Sequence, residues 1–272
     1  MKSLESKVAV ITGAASGIGR ALAREASARG ARVVVCDVDE AGLATTVSQS
    51  SAVISRRVDV RDDAAIRALA DQVASELGGA DIVINNAGVS LSDTVGSMAR
   101  ADFERVMDIN FWGVVRGTEA FLPQLLAKPE ASLVNISSIF GIVGIPSQSA
   151  YCSSKFAVRG YTESLSHELS STSVRVSVVC PGGVKTNIVR GGKHVIDSRG
   201  KATTLEATAT EFDTMARTTP EAAAHTIWQG VLAGSPRIMV GGDAKALDLL
   251  ARMLPRGYGG VLRRLDGLRK RD

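Results

Sequence analysis

The sequence predicts a doubly wound α/β domain, with a parallel sheet of about seven strands covered by helices on both faces. Short β-branched runs alternate with longer alanine-rich segments of helical period up to about residue 180. The runs are almost continuously apolar, which is typical of strands buried on both faces. No linker, repeat or low-complexity block divides the 272 residues, so we expect one domain over residues 1–272.

The predicted elements follow one another along the chain. The strands are expected at 7–11, 32–36, 53–58, 81–85, 132–136, 174–179 and 237–240, and the helices at 17–30, 40–49, 63–77, 101–127, 151–171, 220–234 and 243–254. Pro220 suits the first turn of its helix, and Pro255 stops the last one. Residues 186–219 are expected to form a flexible apolar lid, with a mobile helix at 202–216, and residues 251–272 a basic tail.

The net charge of +4 and the isoelectric point near 9.1 come from the tail. Residues 251–272 hold seven basic and two acidic residues, whereas the other 250 residues hold 25 basic and 26 acidic ones. A balanced body lacks the basic surface of a nucleic-acid-binding protein, so we expect no nucleic-acid partner. The tail is expected to be solvated and partly frayed; a surface or inter-subunit helix, or contact with an anionic membrane or an acyl-carrier partner, are the alternatives.

Cysteine and histidine spacing excludes several classes of protein. Cys36, Cys152 and Cys180 are odd in number and widely spaced, so we expect buried thiols, no disulfides and a reducing, cytoplasmic location. His167, His194 and His225 have no metal-ligand spacing, so no metal site is expected; His167 is expected on a solvated face and His225 on a packed one. No stretch is long and apolar enough for a transmembrane segment or a secretory signal.

A glycine-rich turn joins the first predicted strand to the first helix. It runs from Thr12 to Gly19, and the residues expected to bind a cofactor there are Gly13, Ser16, Gly17, Ile18 and Gly19. Glycines let the backbone approach a pyrophosphate, which the N–H groups of the helix N-terminus stabilise. A tight turn alone would also account for a glycine triplet, but its position between strand and helix favours dinucleotide binding.

Further polar and small residues end the next three strands. Asp37 follows the second strand, where a carboxylate can accept hydrogen bonds from ribose hydroxyls and would repel a 2′-phosphate, which favours NAD over NADP. Asp59 and Val60 end the third strand, and Asn85-Asn86-Ala87-Gly88 the fourth. Since parallel strands present their carboxyl ends at one edge, these residues predict a binding crevice there.

The candidate catalytic residues are Ser138, Tyr151 and Lys155. Tyr151 and Lys155 stand at positions i and i+4 of a predicted helix, so the ammonium can lie near the phenol and lower its pKa. The phenol then becomes a usable proton acceptor. Ser138 ends the fifth strand at the same edge as the glycine turn. Ser137 is the alternative, because either hydroxyl of this pair could face the crevice. Since neighbours in a strand point to opposite faces, only one of the two can serve.

Together these motifs resemble the short-chain dehydrogenase/reductase family, in its shorter, single-domain branch with a Rossmann-like fold. The likeness runs from Lys7 to about Val240 through the glycine turn, Asn85 to Gly88, Asn110, Ser138, Tyr151-x-x-x-Lys155 and Pro181-Gly182. It implies that Tyr151 is the general acid/base, that Lys155 lowers its pKa and binds the nicotinamide ribose, and that Ser138 holds the substrate oxygen. Asn110 would help to hold a water next to Lys155, and Pro181, Gly182, Val184 and Thr186 would lie against the nicotinamide.

We therefore expect an NAD-dependent oxidoreductase that interconverts an apolar secondary alcohol and its ketone. An NADP-dependent ketoreductase acting on acyl thioesters would use the same catalytic residues, and Asp37 argues against it. A non-catalytic NAD-sensing or scaffolding protein would need the glycine turn but not Ser138, Tyr151 and Lys155 together. The resemblance also implies a homodimer or homotetramer built from helices 101–127 and 151–171, where aromatic residues offer apolar area, namely Phe111, Trp112, Phe121, Phe156 and Tyr161. A buried packing role against the sheet explains some of these residues equally well.

Overall fold

Nine strands and ten α-helices alternate along the computed structural model, which describes residues 1–48, 50–197 and 201–268. The strands are β1 (Val8–Thr12), β2 (Arg32–Asp37), β3 (Val53–Arg57), β4 (Ile82–Asn85), β5 (Leu91–Ser92), β6 (Ala131–Ile136), β7 (Val174–Pro181), β8 (Lys193–His194) and β9 (Arg237–Val240). The helices are α1 (Gly17–Ala28), α2 (Glu40–Val47), α3 (Asp63–Leu77), α4 (Arg100–Met107), α5 (Gly113–Leu126), α6 (Ser149–Glu168), α7 (Leu205–Met215), α8 (Pro220–Leu232), α9 (Gly242–Met253) and α10 (Tyr258–Leu268).

The central sheet has seven parallel strands in the order β3-β2-β1-β4-β6-β7-β9. The chain winds outwards from β1 to β3 and then returns to pair β4 with the other side of β1. A crevice forms at such a switch point, outside the carboxyl ends of the strands. The predicted fold class and number of strands in this sheet are confirmed.

Alternate residues of each strand supply the two faces of the sheet. Ala9 and Ile11 of β1 pack with the buried faces of α1, α2 and α8, whereas Val8 and Val10 pack with α3, α5 and α6. Trp228 of α8 is fully buried, and its Nε1 donates a hydrogen bond to the carbonyl of Leu22 at 3.1 Å. All three cysteines are buried and free, as expected.

The helix predicted at 101–127 is interrupted. The turn Asp108–Trp112 between α4 and α5 is π-helical, and Asn110 within it is fully buried. A π-turn inserts one extra residue into a helix and rotates the following residues relative to the preceding ones. Phe121, for which the sequence allows either a subunit interface or packing against the sheet, packs in the core.

The lid and the tail also differ from their expected form. Strand β8 of the lid pairs with β5, so this part of the lid is anchored to the body of the protein. The tail is not frayed at its start, because α10 continues to Leu268; residues 269–272, with Arg269, Lys270 and Arg271, lie outside the described residues. His167 is exposed as expected, but the expectation for His225 is wrong: it lies exposed on α8 and bonds to Glu25 and Gln229. Among the described residues, no helix is long and apolar enough to cross a membrane.

Candidate active site

A single crevice of about 1940 Å³ runs along the carboxyl edge of the sheet. Apart from Gly19 and Asn110, every residue that the sequence singles out for catalysis or cofactor binding lines it; these are Gly13, Ser16, Gly17, Ile18, Asp37, Asp59, Val60, Asn86, Ala87, Gly88, Ser138, Tyr151, Lys155, Pro181, Gly182, Val184 and Thr186. The topology thus gathers residues that are up to 173 positions apart in the chain.

The glycine turn closes one end of this crevice. Gly13 has φ of 66°, and a Cβ built on it would lie 2.6 Å from the Cα of Ala87, so no side chain fits there. Gly17 also has positive φ, and a Cβ there would lie 3.0 Å from Thr186 Cγ2 across the crevice. Ser16 precedes α1 but makes no side-chain capping bond. The first N–H groups of the helix therefore have no side-chain cap from Ser16 and can donate hydrogen bonds to a bound anion.

Asn86 fixes the shape of the glycine turn. Its Nδ2 donates to the carbonyls of Thr12 and Gly13 at 2.9 and 3.0 Å, while Thr12 Oγ1 accepts from the backbone N–H groups of Asn86 and Ala87 at 3.0 Å. The turn after β4 therefore braces the turn after β1. Because the backbone is held from behind, its open side can face a pyrophosphate, and the geometry fits a dinucleotide.

Asp37 and Asp59 lie at the same end of the crevice. Asp37 accepts hydrogen bonds from the N–H groups of Ala15 (3.0 Å) and Asp39 (3.1 Å), so its carboxylate ties β2 to the glycine turn. Asp59 pairs with Arg61 at 2.6 Å, and hydrogen bonds from this guanidinium hold the pKa of the Asp59 carboxyl below its usual value. Both carboxylates keep further acceptor positions at the crevice wall.

Arg20 is a cation at this end that the sequence analysis missed. It lines the crevice, but its guanidinium is bonded to the carbonyls of Ala15 and Gly42 and to Thr46 Oγ1. The helical spacing from the glycine turn could have indicated it. Since its Nε and Nη2 bond to Ala15, Gly42 and Thr46, Arg20 acts in this structure as a brace between α1 and α2.

Ser138, Tyr151 and Lys155 meet in the middle of the crevice. Ser138 Oγ accepts from the N–H of Phe140 at 3.1 Å and lies near enough to the Tyr151 hydroxyl to influence its pKa. Lys155 Nζ donates to the carbonyl of Ile136 at 2.9 Å and lies 5.8 Å from the centre of the Tyr151 ring. Ser137 also lines the crevice, but its hydroxyl is engaged, because it donates to the backbone carbonyl of Lys155 at 2.7 Å.

Burial governs the ionisation of both titratable groups. It raises the pKa of Tyr151 to about 12, although the hydrogen bond from Ser138 acts in the opposite direction. It also lowers the pKa of Lys155 to about 8. The expected lowering of the Tyr151 pKa is therefore absent in this structure, because the loss of solvation outweighs the effect of Ser138.

Asn110 lies behind the crevice. Its Oδ1 accepts from the N–H of Val89 at 2.8 Å, and its Nδ2 donates to the carbonyl of Val89 and to Ser154 Oγ, both at 3.0 Å. A Cβ built on Gly88 would lie 3.3 Å from Asn110 Oδ1 and 3.4 Å from Lys155 Nζ. Asn110 therefore joins the turn after β4 to α6 beside the lysine, and the π-turn makes room for its side chain.

The loop after β7 is held by Asp243, a second residue that the sequence analysis missed. Asp243 Oδ2 accepts from the N–H of Gly183 at 2.6 Å, and its carboxylate fills the space where a Cβ of Gly182 would lie. Thr218 pairs with Val184 on the other side of this loop. In the sequence, Asp243 is an acidic residue in the first turn of a predicted helix, which indicates only that it stabilises the helix N-terminus. Its hydrogen bond to Gly183 could not be predicted from that position.

Side chains from three regions surround the far end of the crevice. The turn after Ser138 contributes Ile139, Phe140 and Ile145; the lid contributes Asn187, Ile188, Val189, Arg190, Gly191, His194, Asp197, Thr208, Glu211, Phe212 and Met215; and the C-terminal helices contribute Ala246, Leu247, Gly259 and Leu262. The side chains named from the turn and the C-terminal helices are apolar, whereas the lid adds polar and charged ones. In the described part of the chain, no group of three metal-ligating side chains is found.

Comparison with known proteins agrees with this geometry. The family model for short chain dehydrogenases matches residues 7–194. The oxidoreductase SadH of Mycobacterium tuberculosis is 46% identical over 265 residues, which cover 95% of this chain and 94% of SadH. The 3-oxoacyl-(acyl-carrier-protein) reductase FabG of Thermotoga maritima is 34% identical over 188 residues, 67% of this chain and 76% of FabG.

A solved structure extends the likeness to the fold. The short chain dehydrogenase/reductase of Burkholderia phymatum in complex with NAD has a TM-score of 0.83 and 30% identity, over 93% of this chain and 95% of that chain. The chain is therefore an oxidoreductase with a Rossmann-like fold. It belongs to the short-chain dehydrogenase/reductase family, whose members use a nicotinamide cofactor.

Proposed function

We propose that this protein is an NAD-dependent dehydrogenase that interconverts an apolar secondary alcohol and its ketone. The observation that carries the proposal is the meeting of Ser138, Tyr151 and Lys155 between the glycine turn and the mainly apolar end of the crevice. A substrate hydroxyl placed beside Ser138 and Tyr151 would lie between a dinucleotide and these apolar side chains.

In the direction of oxidation, Tyr151 Oη removes the proton of the substrate hydroxyl while Ser138 Oγ hydrogen-bonds to the same oxygen. Ser138 Oγ accepts from Phe140 N–H through a lone pair, so its hydroxyl proton can turn from Tyr151 to the substrate oxygen. The ammonium of Lys155 stabilises the phenolate through its charge. A bound nicotinamide would accept the carbinol hydride, so that the alcohol becomes a ketone. In reduction, Tyr151 returns the proton.

Asp37 supports NAD as the cofactor. A carboxylate at the crevice wall can accept hydrogen bonds from both hydroxyls of an adenosine ribose, whereas it would repel a 2′-phosphate. Arg20 is a cation of the crevice wall that could favour a phosphate, but its guanidinium is bonded to Ala15, Gly42 and Thr46. The Burkholderia phymatum relative, which contains NAD, is consistent with this preference.

A second function is favoured by a specific relative. FabG of Thermotoga maritima is named as a reductase of 3-oxoacyl groups on acyl-carrier protein, so the same catalytic residues could serve an NADP-dependent ketoreductase of acyl thioesters. The two functions differ in the cofactor and in the polarity of the substrate beyond its carbonyl group. A protein that binds NAD without catalysis is a third possibility, and it predicts no turnover.

The test measures nicotinamide absorbance with purified protein. NAD and NADP are each assayed with apolar secondary alcohols, and NADH and NADPH with the corresponding ketones and with a 3-oxoacyl thioester. We expect NADH to support faster ketone reduction than NADPH, and apolar ketones to have higher kcat/KM than the thioester. The opposite order on both counts would select the thioester ketoreductase.

Tyr151→Phe tests the acid/base assignment. We expect kcat to fall by about 10² to 10⁴, the usual contribution of a positioned acid or base. Tyr161→Phe is the matched control, because Tyr161 lies on the same helix but does not line the crevice, and it should retain most of its activity. Substantial turnover by Tyr151→Phe would refute the assignment.

A further inference from the structure

The C-terminal helix α10 is docked beside the catalytic serine. Tyr258, its first residue, packs against a cluster that contains Ile139, which follows Ser138 directly, Val143 in the same turn, and Ala244 of α9. Its hydroxyl also accepts a hydrogen bond from the N–H of Gly144 at 3.3 Å. The start of α10 is therefore packed against the turn that follows Ser138.

The next turn of α10 borders the crevice. Gly259 and Leu262, three positions apart, share one face of the helix and line the crevice together with Ala246 and Leu247 of α9. Val261, between them in sequence, does not line this crevice and instead borders a separate shallow depression. One face of α10 is thus directed to the site, and the neighbouring face is not.

The size of the crevice indicates what this wall encloses. A volume of about 1940 Å³ is well above the ~300–1,000 Å³ typical of small-molecule sites. A dinucleotide along the glycine turn, Asp37 and the loop after β7 accounts for one end. The other end, from Ser138 to Leu262, has its hydrogen-bonding groups at the reacting centre and on the lid, whereas the turn after Ser138 and the C-terminal helices present mainly apolar side chains.

We infer that α10 forms the distal wall of the substrate site and, through Leu262, limits the length of a bulky apolar alcohol or ketone that extends from Ser138 and Tyr151 to the C-terminal helices. This inference rests on the proposed function, and it adds the size of the substrate and the element that selects it. Short substrates would leave the face of α10 uncovered. Longer ones would gain affinity from each methylene buried against this face.

The test compares a series of methyl ketones of increasing chain length. For the unchanged protein we expect kcat/KM to rise by up to about four-fold per added methylene until the chain reaches α10, and then to level off or fall. Leu262→Trp fills the distal end, so it should move the maximum to shorter ketones and lower kcat/KM for the longest by about ten-fold. The shortest ketone and the KM of the cofactor should be unaffected.

Val261→Trp is the matched control, since it places the same side chain one position along α10 but away from the crevice. Its dependence on chain length should be that of the unchanged protein. Identical profiles for Leu262→Trp and the unchanged protein, or a kcat/KM that does not vary with chain length, would overturn the inference. If Tyr151→Phe abolishes activity but Leu262→Trp leaves the dependence on chain length unchanged, the inference about α10 is overturned and the proposed function stands.

A second measurement does not require turnover. The fluorescence of the tryptophan in Leu262→Trp, after subtraction of the unchanged protein with Trp112 and Trp228, should change when a long-chain ketone is added to the protein with NAD. Val261→Trp should show no such change. The ketone is added up to the concentration that saturates the enzyme or, if the protein shows no turnover, up to its solubility limit. If the fluorescence of Leu262→Trp does not change in this range, α10 does not form a distal wall.

Discussion

Tyr151 and Lys155 are both shifted towards their neutral forms. Burial raises the pKa of Tyr151 to about 12 and lowers that of Lys155 to about 8. At neutral pH Tyr151 is therefore a phenol, the form that donates a proton in ketone reduction. Oxidation needs the phenolate, whose fraction rises ten-fold per pH unit below the pKa.

The two directions should consequently respond differently to pH. We expect kcat/KM for alcohol oxidation to increase from pH 6 to about 8 and to increase less steeply above that, where Lys155 loses the proton that stabilises the phenolate. Ketone reduction should not increase over the same range. Initial rates in both directions between pH 6 and 10 would measure this, and oxidation that slows between pH 6 and 8 would contradict it.

The sequence alone does not determine which of Ser137 and Ser138 offers its hydroxyl to a substrate. Strand alternation predicts that only one of the two hydroxyls faces the crevice, but it does not say which one. The structure adds that Ser137 Oγ donates to the carbonyl of Lys155 and so fastens β6 to α6. That contact joins residues 18 positions apart through a backbone carbonyl, and no sequence pattern encodes such a partner.

Helix α9 positions the loop that follows β7. Its carboxylate at Asp243 accepts from Gly183 N–H and occupies the space beside Gly182, both within the segment that the family resemblance places against the nicotinamide. The same helix supplies Ala246 and Leu247 to the substrate end of the crevice. One element thus contacts the cofactor half and the substrate half of the site.

Asp243→Ala should therefore weaken cofactor binding more than it slows catalysis. Loss of a charged acceptor for a backbone N–H costs about 1.5–3 kcal/mol, so the dissociation constant of NADH should rise by about ten-fold or more, with a smaller change in kcat. NADH fluorescence titration and steady-state kinetics would separate the two effects.

Asp243→Asn keeps an oxygen acceptor and should recover most of the affinity. Asp248→Asn, on the same helix but paired with Arg237 outside the crevice, serves as the control for altered stability of α9. Equal weakening by Asp243→Asn and Asp243→Ala would show that the hydrogen bond to Gly183 is not the cause.

At the level of elements, long periodic segments were predictable and short ones were not. The seven main strands and the helices from α1 to α3 lie within a few residues of their predicted bounds, because burial on one or both faces imposes a clear apolar pattern. Strands β5 and β8 have two residues each, too few to show alternation, and they exist because the lid meets the turn after β4. The π-turn at Asp108–Trp112 likewise depends on the partners of Asn110, not on local propensity.

The arrangement of the whole molecule followed from the strand order that a doubly wound sheet adopts. Placing the ends of β1, β2, β3 and β4 at one edge was enough to predict the cofactor end of the crevice. The substrate end could not be predicted in the same way, because α10 reaches it from the far end of the chain. Its start, Tyr258-Gly-Gly, has weak helix propensity, and docking of Tyr258 on the body supplies the missing stability.

Apolar area on the surface of the π-turn and α6 supports the expected self-association. Trp112 is 50% exposed and Phe156 is 42% exposed. The ring of Phe111 contacts Trp112 in a tilted arrangement and Tyr161 edge to face, with ring centres 5.2 and 6.1 Å away. An exposed aromatic cluster of this kind is typical of an interface. We propose a homodimer or homotetramer that uses this face.

Light scattering at micromolar concentration should give a mass of two or four times 28.4 kDa. Trp112→Glu should reduce that mass by placing a charge in the interface. Val95→Glu is the control, because Val95 is 80% exposed and lies outside this cluster, so the mass should not change. A monomeric mass for the unchanged protein would contradict the proposal.

The two ends of the lid lie next to each other, at Val184 and Thr218. Val184 and Thr218 form a bridge, with Lys185 N–H donating to the Thr218 carbonyl at 2.9 Å, so the 33 residues between them begin and end at neighbouring points. The entropy cost of closing such a loop depends only weakly on its length. A change in the length of the lid therefore costs little entropy, and the sheet and the catalytic residues can keep their positions.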